Sequence, residues 1–332
     1  MSIYKNNPWT PIKHSIIKDE NYSNTIYDKG FVIDSSLESE VIQKLTEIFE
    51  NNHKLQNKEG GMFYSLYSQD LVYRKQIFDG IDILLRPYLE RNFHDFKVVI
   101  HSFVVKLPGE KSEFYLHQDT TGVDERKHSP LSLWIPLQDV AVSNGCLGVI
   151  PKSQRFFSPF RSISFPAPFD AIQSTVKKYL QPIPMKKGEV LVFDNRILHN
   201  SYSNVSDKPR VAVICGLLPK EAKFITCHKP EYVCGGKVEL IEHEDDYLLI
   251  GKNFLIDCQK RPETGVSLGW EDDPYESISY EEFESLCRAN EIPIVNNKTF
   301  EATDCAMISE PILEEKKEST LLSRFQKVFK RA

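Results

Sequence analysis

The segment "FYLHQDTTG" (residues 114–122) places His117 and Asp119 two residues apart around Gln118. In an extended strand, residues i and i+2 point to the same face, so both side chains can reach one metal ion. A lone His-x-Asp is too common to decide anything, and its partners have to come from elsewhere in the chain. They are found in "FDNRILHNSYSNVSDKPRVAVI" (193–214). His199 lies in a strand-like stretch there, Ser201 shares its face, and Arg210 opens the next apolar strand. A buried histidine and arginine need partners. A pocket holding a metal and a dianionic cosubstrate gives both a role. Two histidines and one carboxylate make the facial triad of non-haem Fe(II) oxygenases, which leaves positions on the metal open.

These residues have to be held by a β-rich framework. "KVVIHSFVVKLP", "LSLWIPLQDV", "CLGVIP", "EVLVFD" and "RVAVICGLLP" are short β-branched and aromatic runs, separated by the turn-forming "PGEKSE", "SNG", "KKG" and "SDKP". That pattern predicts a mainly β fold with flanking helices, a jelly-roll barrel, and not alternating βαβ units. Apolar spacing predicts one helix over 37–57 with Ser36 as its N-cap, and a second over 70–93 broken near Gly80. Beyond Pro219 the pattern loosens. Residues 237–257 suggest a β-hairpin, 277–290 a helix with Ser279 and Glu282 at capping-box spacing, and 319–332 a basic amphipathic tail. The division that follows is an oxygenase-like region over 1–220 and a C-terminal appendage over 221–332.

The chain has 332 residues, 41% hydrophobic and 27% charged, with a net charge of -6. A small acidic balance gives no reason to expect a nucleic-acid partner. The N-terminus has no apolar core of a secretory signal, and "VAVICGLL" is too short to span a bilayer. Seven irregularly spaced cysteines do not form a disulfide framework, so a cytoplasmic location with reduced thiols is expected.

Six separated elements carry a family resemblance: "KLPG" (106–109), "HQD" (117–119), "LWIPLQDV" (133–140), "NGCLGVIPKSQR" (144–155), "KKGEVLVFDNRILHNS" (186–201) and "PRVAV" (209–213). In order and spacing this run resembles the phytanoyl-CoA dioxygenase family of Fe(II)/2-oxoglutarate-dependent oxygenases, over roughly residues 25–220. One departure is "IPKSQR", where the family usually has glycine and then Ser-His, at a turn that holds no ligand. The resemblance implies a double-stranded β-helix, with His117, Asp119 and His199 as iron ligands. It implies that Arg210 pairs with the distal carboxylate of 2-oxoglutarate with Ser201 assisting, and that Gln118 and Trp134 line the cosubstrate pocket. O2 would be the second cosubstrate, succinate and CO2 the products, and hydroxyl the group delivered to a small-molecule substrate. Related halogenases carry a small residue in place of the aspartate, so Asp119 favours hydroxylation, or desaturation or cyclisation.

Two other readings keep the fold: a catalytically silent jelly-roll binding module, and a cupin-type metalloenzyme that does not use 2-oxoglutarate. The intact triad speaks against the first and Arg210 against the second. Among the remaining motifs, His101 and Lys106 lie on the strand leading toward "HQD" and either face the pocket or are a satisfied histidine and an edge-strand lysine. "CHKPEYVC" (227–234) lacks the paired short spacing of a zinc site. Arg126 and His128 can be solvated or reach substrate, and Gly145 and Gly148 read as turn and close-packing residues. The Phe-, Pro- and Arg-rich 155–170 segment reads as a lid or a packed loop. The appendage is long enough to cap the pocket or to build a homodimer interface.

Overall fold

The computed structural model describes residues 12–52, 61–109, 112–156, 160–251, 260–273 and 276–295. Helix α1 (Glu20–Lys29) begins where the Asp19 carboxylate accepts the Tyr22 amide at 2.7 Å, and it ends at Gly30, whose φ of 88° lets its N–H reach the Ile26 carbonyl. Strand β1 (Phe31–Asp34) leads into α2 (Ser39–Asn52), which buries Ile42, Leu45 and Phe49 along one stripe. Ser36 does not cap it. The Ser36 amide and hydroxyl both turn back to Asp34, and the Glu38 carbonyl opens the helix instead.

After β2 (Met62–Tyr64), helix α3 (Leu71–Asn92) is capped by Asp70 and runs without a break through Gly80 and Pro87. The expected interruption at Gly80 is absent for a packing reason. A Cβ there would stand 3.1 Å from Ile48 Cδ1, so the glycine admits α2 against α3.

Eight strands then form the core of the fold: β3 (Phe96–Lys106), β4 (Phe114–His117), β5 (Leu131–Pro136), β6 (Leu147–Ile150), β7 (Gln181–Ile183), β8 (Val190–Asp194), β9 (Leu198–Ser201) and β10 (Arg210–Pro219). A short helix, α4 (Gln173–Val176), precedes β7. The strands sort into an antiparallel sheet of order β1-β8-β5-β10-β3-β2 and a smaller one of order β4-β9-β6-β7. Except at the β6–β7 step, the chain crosses between sheets with every successive strand, which is the jelly-roll winding. Among the described residues no ladder joins the two sheets, so the jelly roll expected is present as an open sandwich without a closed barrel. The strands at the sheet edges, β1, β2, β4 and β7, are only three or four residues long, and backbone pairing runs out there.

Residue parity in the large sheet assigns each side chain a layer. Phe103, Val105, Leu133, Ile135, Val192, Val211 and Val213 pack under α2 and α3, while Trp134, Leu191, Phe193 and Ala212 face the small sheet. Both faces are covered, which is why β8 and β10 read as continuous apolar runs. Parity also separates His101 from Lys106. His101 points to α3 and meets Asp82 at 3.1 Å, whereas Lys106 points between the sheets. Lys106 is no edge-strand lysine, since β3 is flanked by β10 and β2 and the side chain is fully buried.

The C-terminal region adds β11 (Phe224–His228), β12 (Gly236–His243), the helical turn α5 (Tyr247–Ile250), β13 (Val266–Asp273) and α6 (Tyr280–Ala289). Residues 252–257 of the hairpin expected over 237–257 lie outside the described residues; in the described part β12 is followed by the α5 turn and pairs with β11 and β13 in a separate antiparallel sheet. Helix α6 carries the expected capping box, with Ser279 and Glu282 bonded reciprocally. Its Phe283 and Cys287 pack with Leu116, Ile150 and Leu198, against the small sheet beside the His117 strand. The basic segment 319–332 lies outside the described residues. Among the described residues no helix is long and apolar enough to cross a membrane.

Candidate active site

Antiparallel pairing of β4 with β9 sets His117 directly opposite His199, and their ring centroids stand 4.1 Å apart. Asp119 follows β4 by two residues. Its Oδ1 lies 3.7 Å from the Nε2 of each histidine, and the three potential ligand atoms all fall within 4.8 Å of one another. Each imidazole is fixed from behind in the same way. His117 Nδ1 lies 3.0 Å from the Tyr115 carbonyl and His199 Nδ1 lies 3.0 Å from the Ile197 carbonyl. A carbonyl only accepts, so Nδ1 carries the proton and Nε2 presents a lone pair toward Asp119. Burial and the neighbouring His199 hold His117 well below the ordinary histidine range, which favours the neutral ligand form.

The aspartate is oriented just as firmly. Ser132 Oγ, on β5, lies 2.8 Å from Asp119 Oδ2 and 3.0 Å from Asn195 Oδ1, and the Asp119 amide donates to the Asn195 carbonyl at 2.9 Å. Gln118 turns the other way and donates to the Arg196 carbonyl at 2.6 Å, so it ties the metal loop to the turn between β8 and β9. That turn rests on a buried ion cluster. The Asp194 carboxylate takes Arg196 in a bidentate pair and His14 at 3.1 Å. Burial alone would raise the Asp194 carboxyl, but Arg196 and His14 outweigh it and hold it far below the carboxylate range.

Arg161 was hidden in the Phe-rich segment, where it read as part of a lid or loop. Its Nε donates to the Asp119 carbonyl at 2.7 Å, and its two terminal nitrogens clasp the fully buried Glu125 carboxylate at 2.7 and 2.6 Å. Phe160 and Phe165 beside it pack on Cys227, Val238 and Leu240, fastening this segment to the C-terminal sheet. We expect Glu125→Gln to destabilise the protein by about 3–5 kcal/mol, since it strands a buried guanidinium. Chemical denaturation would measure this, and an unchanged midpoint would show that the pair does not anchor the loop.

Arg210 enters the same space from the first position of β10. It is fully buried, and its guanidinium lies over the Trp134 ring at 5.1 Å. Among the described residues its Nε and Nη1 meet no partner, and burial pulls its pKa down to about 10. A buried guanidinium with donors to spare is chemically suited to an anion. Ser201 borders the same cavity, with its hydroxyl oxygen 2.7 Å from Lys106 Nζ. The cavity is about 240 Å³ in volume, and the triad, Gln118, Trp134, Ser201 and Arg210 all border it. Tyr64, Tyr67, Tyr115, Phe160, Ile163 and Phe224 supply an apolar wall.

Other motifs find different work. Arg126 pairs with Asp124 at 2.7 Å and with Glu271 at 3.3 Å, and His128 lies 3.6 Å from Glu221. In "CHKPEYVC", Cys227 is buried in an apolar cluster and Lys229 pairs with Asp273. Among the described residues the triad is the group whose spacing can hold a metal.

In this jelly roll a His-x-Asp…His triad at two paired strands of the small sheet shares one cavity with a buried arginine. The family model described as phytanoyl-CoA dioxygenase matches residues 30–212, more than half of the chain, and the chain belongs to that family. A phytanoyl-CoA dioxygenase of Arabidopsis thaliana is 34% identical over 122 residues, 35% of this chain and 42% of that protein. Phytanoyl-CoA dioxygenase 1 of Oryza sativa subsp. japonica is 30% identical over 127 residues, 37% of this chain and 45% of that protein. The chain thus spans less than half the length of these two relatives. A solved non-heme alpha ketoglutarate dependent carbocyclase from nogalamycin biosynthesis superposes with a TM-score of 0.43 at 19% identity, over 62% of this chain and 86% of that one. At that score the likeness adds nothing to the assignment.

Proposed function

We propose that this protein is an Fe(II)/2-oxoglutarate-dependent dioxygenase that hydroxylates an unactivated carbon of a small organic molecule. The overall conversion is 2-oxoglutarate + O2 + R–H to succinate + CO2 + R–OH. The observation that carries this reading is the triad sharing one cavity with a fully buried Arg210 that has two unsatisfied nitrogens. His117, Asp119 and His199 would hold Fe(II), the group that supplies dioxygen activation when bound. Arg210 would take the distal carboxylate of the keto acid as an ion pair, with the Ser201 hydroxyl bordering the same cavity and the Trp134 ring covering one face of the guanidinium. Gln118 would act on the site by holding the metal loop to the β8–β9 turn.

The aromatic and aliphatic wall suits a small, largely apolar substrate carbon and excludes water from the oxidising centre. The cysteines Cys146, Cys215, Cys227, Cys234 and Cys287 are all free, in keeping with a cytoplasmic protein. Aerobic protein supplied with Fe(II) and 2-oxoglutarate alone should form succinate slowly, without added substrate. Absence of succinate from metal-loaded protein would refute the proposal.

A further inference from the structure

Lys106 occupies a place that the proposed chemistry does not explain. It is the last residue of β3, it pairs in register with Arg210 on β10, and it is 0% exposed. Side chains of directly opposed antiparallel residues lie on one face, so two buried basic side chains stand side by side. The lysine does not border the cavity. Its Nζ reaches across to β9 and meets three oxygens: Ser201 O at 3.0 Å, Ser201 Oγ at 2.7 Å and Tyr202 O at 2.5 Å. The socket is built for it. A Cβ on Gly145, whose φ is +85°, would stand 2.7 Å from Lys106 Cδ. Asn204 Nδ2 donates to the Lys106 carbonyl at 3.0 Å, fixing the backbone from which the side chain extends.

Three acceptors match the three protons of an ammonium group. Two of them are carbonyls, which can only accept, so the third proton falls on Ser201 Oγ. A hydroxyl that accepts on one side has its own proton free for the other, and Ser201 borders the cavity that Arg210 also borders. Burial and the nearby Arg210 push Lys106 well below the ordinary lysine range, with Glu113 and Cys146 opposing them, while three oxygens stand at 2.5–3.0 Å from Nζ, where an ammonium group donates. We propose that Lys106 is a positioning residue for the cosubstrate: it fixes Ser201 so that the hydroxyl donates, alongside Arg210, to the distal carboxylate of the keto acid. The inference rests on the reading of Arg210 and Ser201 as the distal-carboxylate site.

The test compares 2-oxoglutarate with pyruvate, which keeps the keto-acid head and lacks the distal carboxylate. Both are titrated calorimetrically into anaerobic Fe(II)-loaded wild type, Lys106→Met, Ser201→Ala and the double variant. Lys106→Met should weaken 2-oxoglutarate binding on the order of tenfold, as loss of an outer partner does, and leave pyruvate binding unchanged. Ser201→Ala should cost a similar factor, and the double variant should bind no more weakly than the weaker single one, because both changes remove the same hydrogen bond. Multiplying effects, or pyruvate binding that falls in step, would overturn the proposal and leave Lys106 as a mere tie between the sheets. Should Lys106→Met not fold, Ser201→Ala decides, since equal loss for the two keto acids refutes the donated hydroxyl and selective loss supports it. Arg210→Met serves as the control on the underlying reading. If it binds 2-oxoglutarate normally, the distal-carboxylate site itself is wrong, whatever Lys106 does.

Discussion

Replacing Arg210 by methionine is expected to raise the KM for 2-oxoglutarate by about two to three orders of magnitude, the range for removing one partner of a buried, hydrogen-bonded charge pair. The reason lies in what surrounds the guanidinium. It is fully buried, its Nε and Nη1 meet no acceptor among the described residues, and Trp134 covers one face. A carboxylate entering that space without Arg210 would lose its water and gain no counter-charge. Arg210→Lys should not rescue, because a single ammonium cannot reproduce the planar, two-pronged contact. Stability should move the other way. In the ligand-free protein the arginine is a buried cation with unmet hydrogen bonds, so an apolar side chain of similar length should leave the unfolding midpoint unchanged or higher. Steady-state kinetics over a wide range of 2-oxoglutarate, beside thermal unfolding of the same samples, tests both statements. An unchanged KM would remove Arg210 from the cosubstrate site.

The sequence made the inner architecture legible because strand parity is a local rule. His117 and Asp119 sit two apart, His199 and Ser201 sit two apart, and Arg210 opens an apolar run, so each pair's common face follows from spacing alone. That β4 and β9 are partners, with His117 opposite His199, is a long-range fact that only the jelly-roll winding supplies. The same rule, applied to β3, would have sent His101 and Lys106 to opposite faces. It could not show that β3 is interior to its sheet and not an edge, which is what turns Lys106 from a solvated residue into a buried one.

The unforeseen contacts share one character: they join residues whose proximity depends on loops. Arg161 reaches Asp119 and Glu125 from 36 to 42 positions away, and His14 reaches Asp194 from 180. Local propensity carries no record of such pairs. In the described part of the hairpin expected over 237–257, the partners of β12 were not legible for a related reason. Alternating residues mark a strand, but the choice of partner belongs to β11 and β13. Gly80 was misread because a glycine that weakens a helix and one that admits a neighbouring helix look alike in sequence.

Asp119→Ala is expected to lower Fe(II) affinity by more than the ten- to hundredfold typical of an outer-partner change, about three orders of magnitude, and to abolish succinate formation. Asp119 is the one anionic member of the triad and lies 3.7 Å from both histidine Nε2 atoms, so its loss leaves two neutral donors and an incomplete face. Asp119→Asn separates charge from shape, since it can keep the bond to Ser132 while supplying no anion. It should therefore resemble alanine in metal binding. Ser132→Ala leaves the carboxylate in place but loosens its orientation, and should cost only about tenfold. The fold should survive all three changes, because the Asp119 side chain is 29% exposed and its backbone amide and carbonyl remain bonded to Asn195 and Arg161. Anaerobic addition of Fe(II) and 2-oxoglutarate, followed by the weak visible charge-transfer band of the chelate, reads the site directly. If Asp119→Ala forms that band at wild-type metal concentrations, the triad is not the iron site, and another ligand must complete His117 and His199.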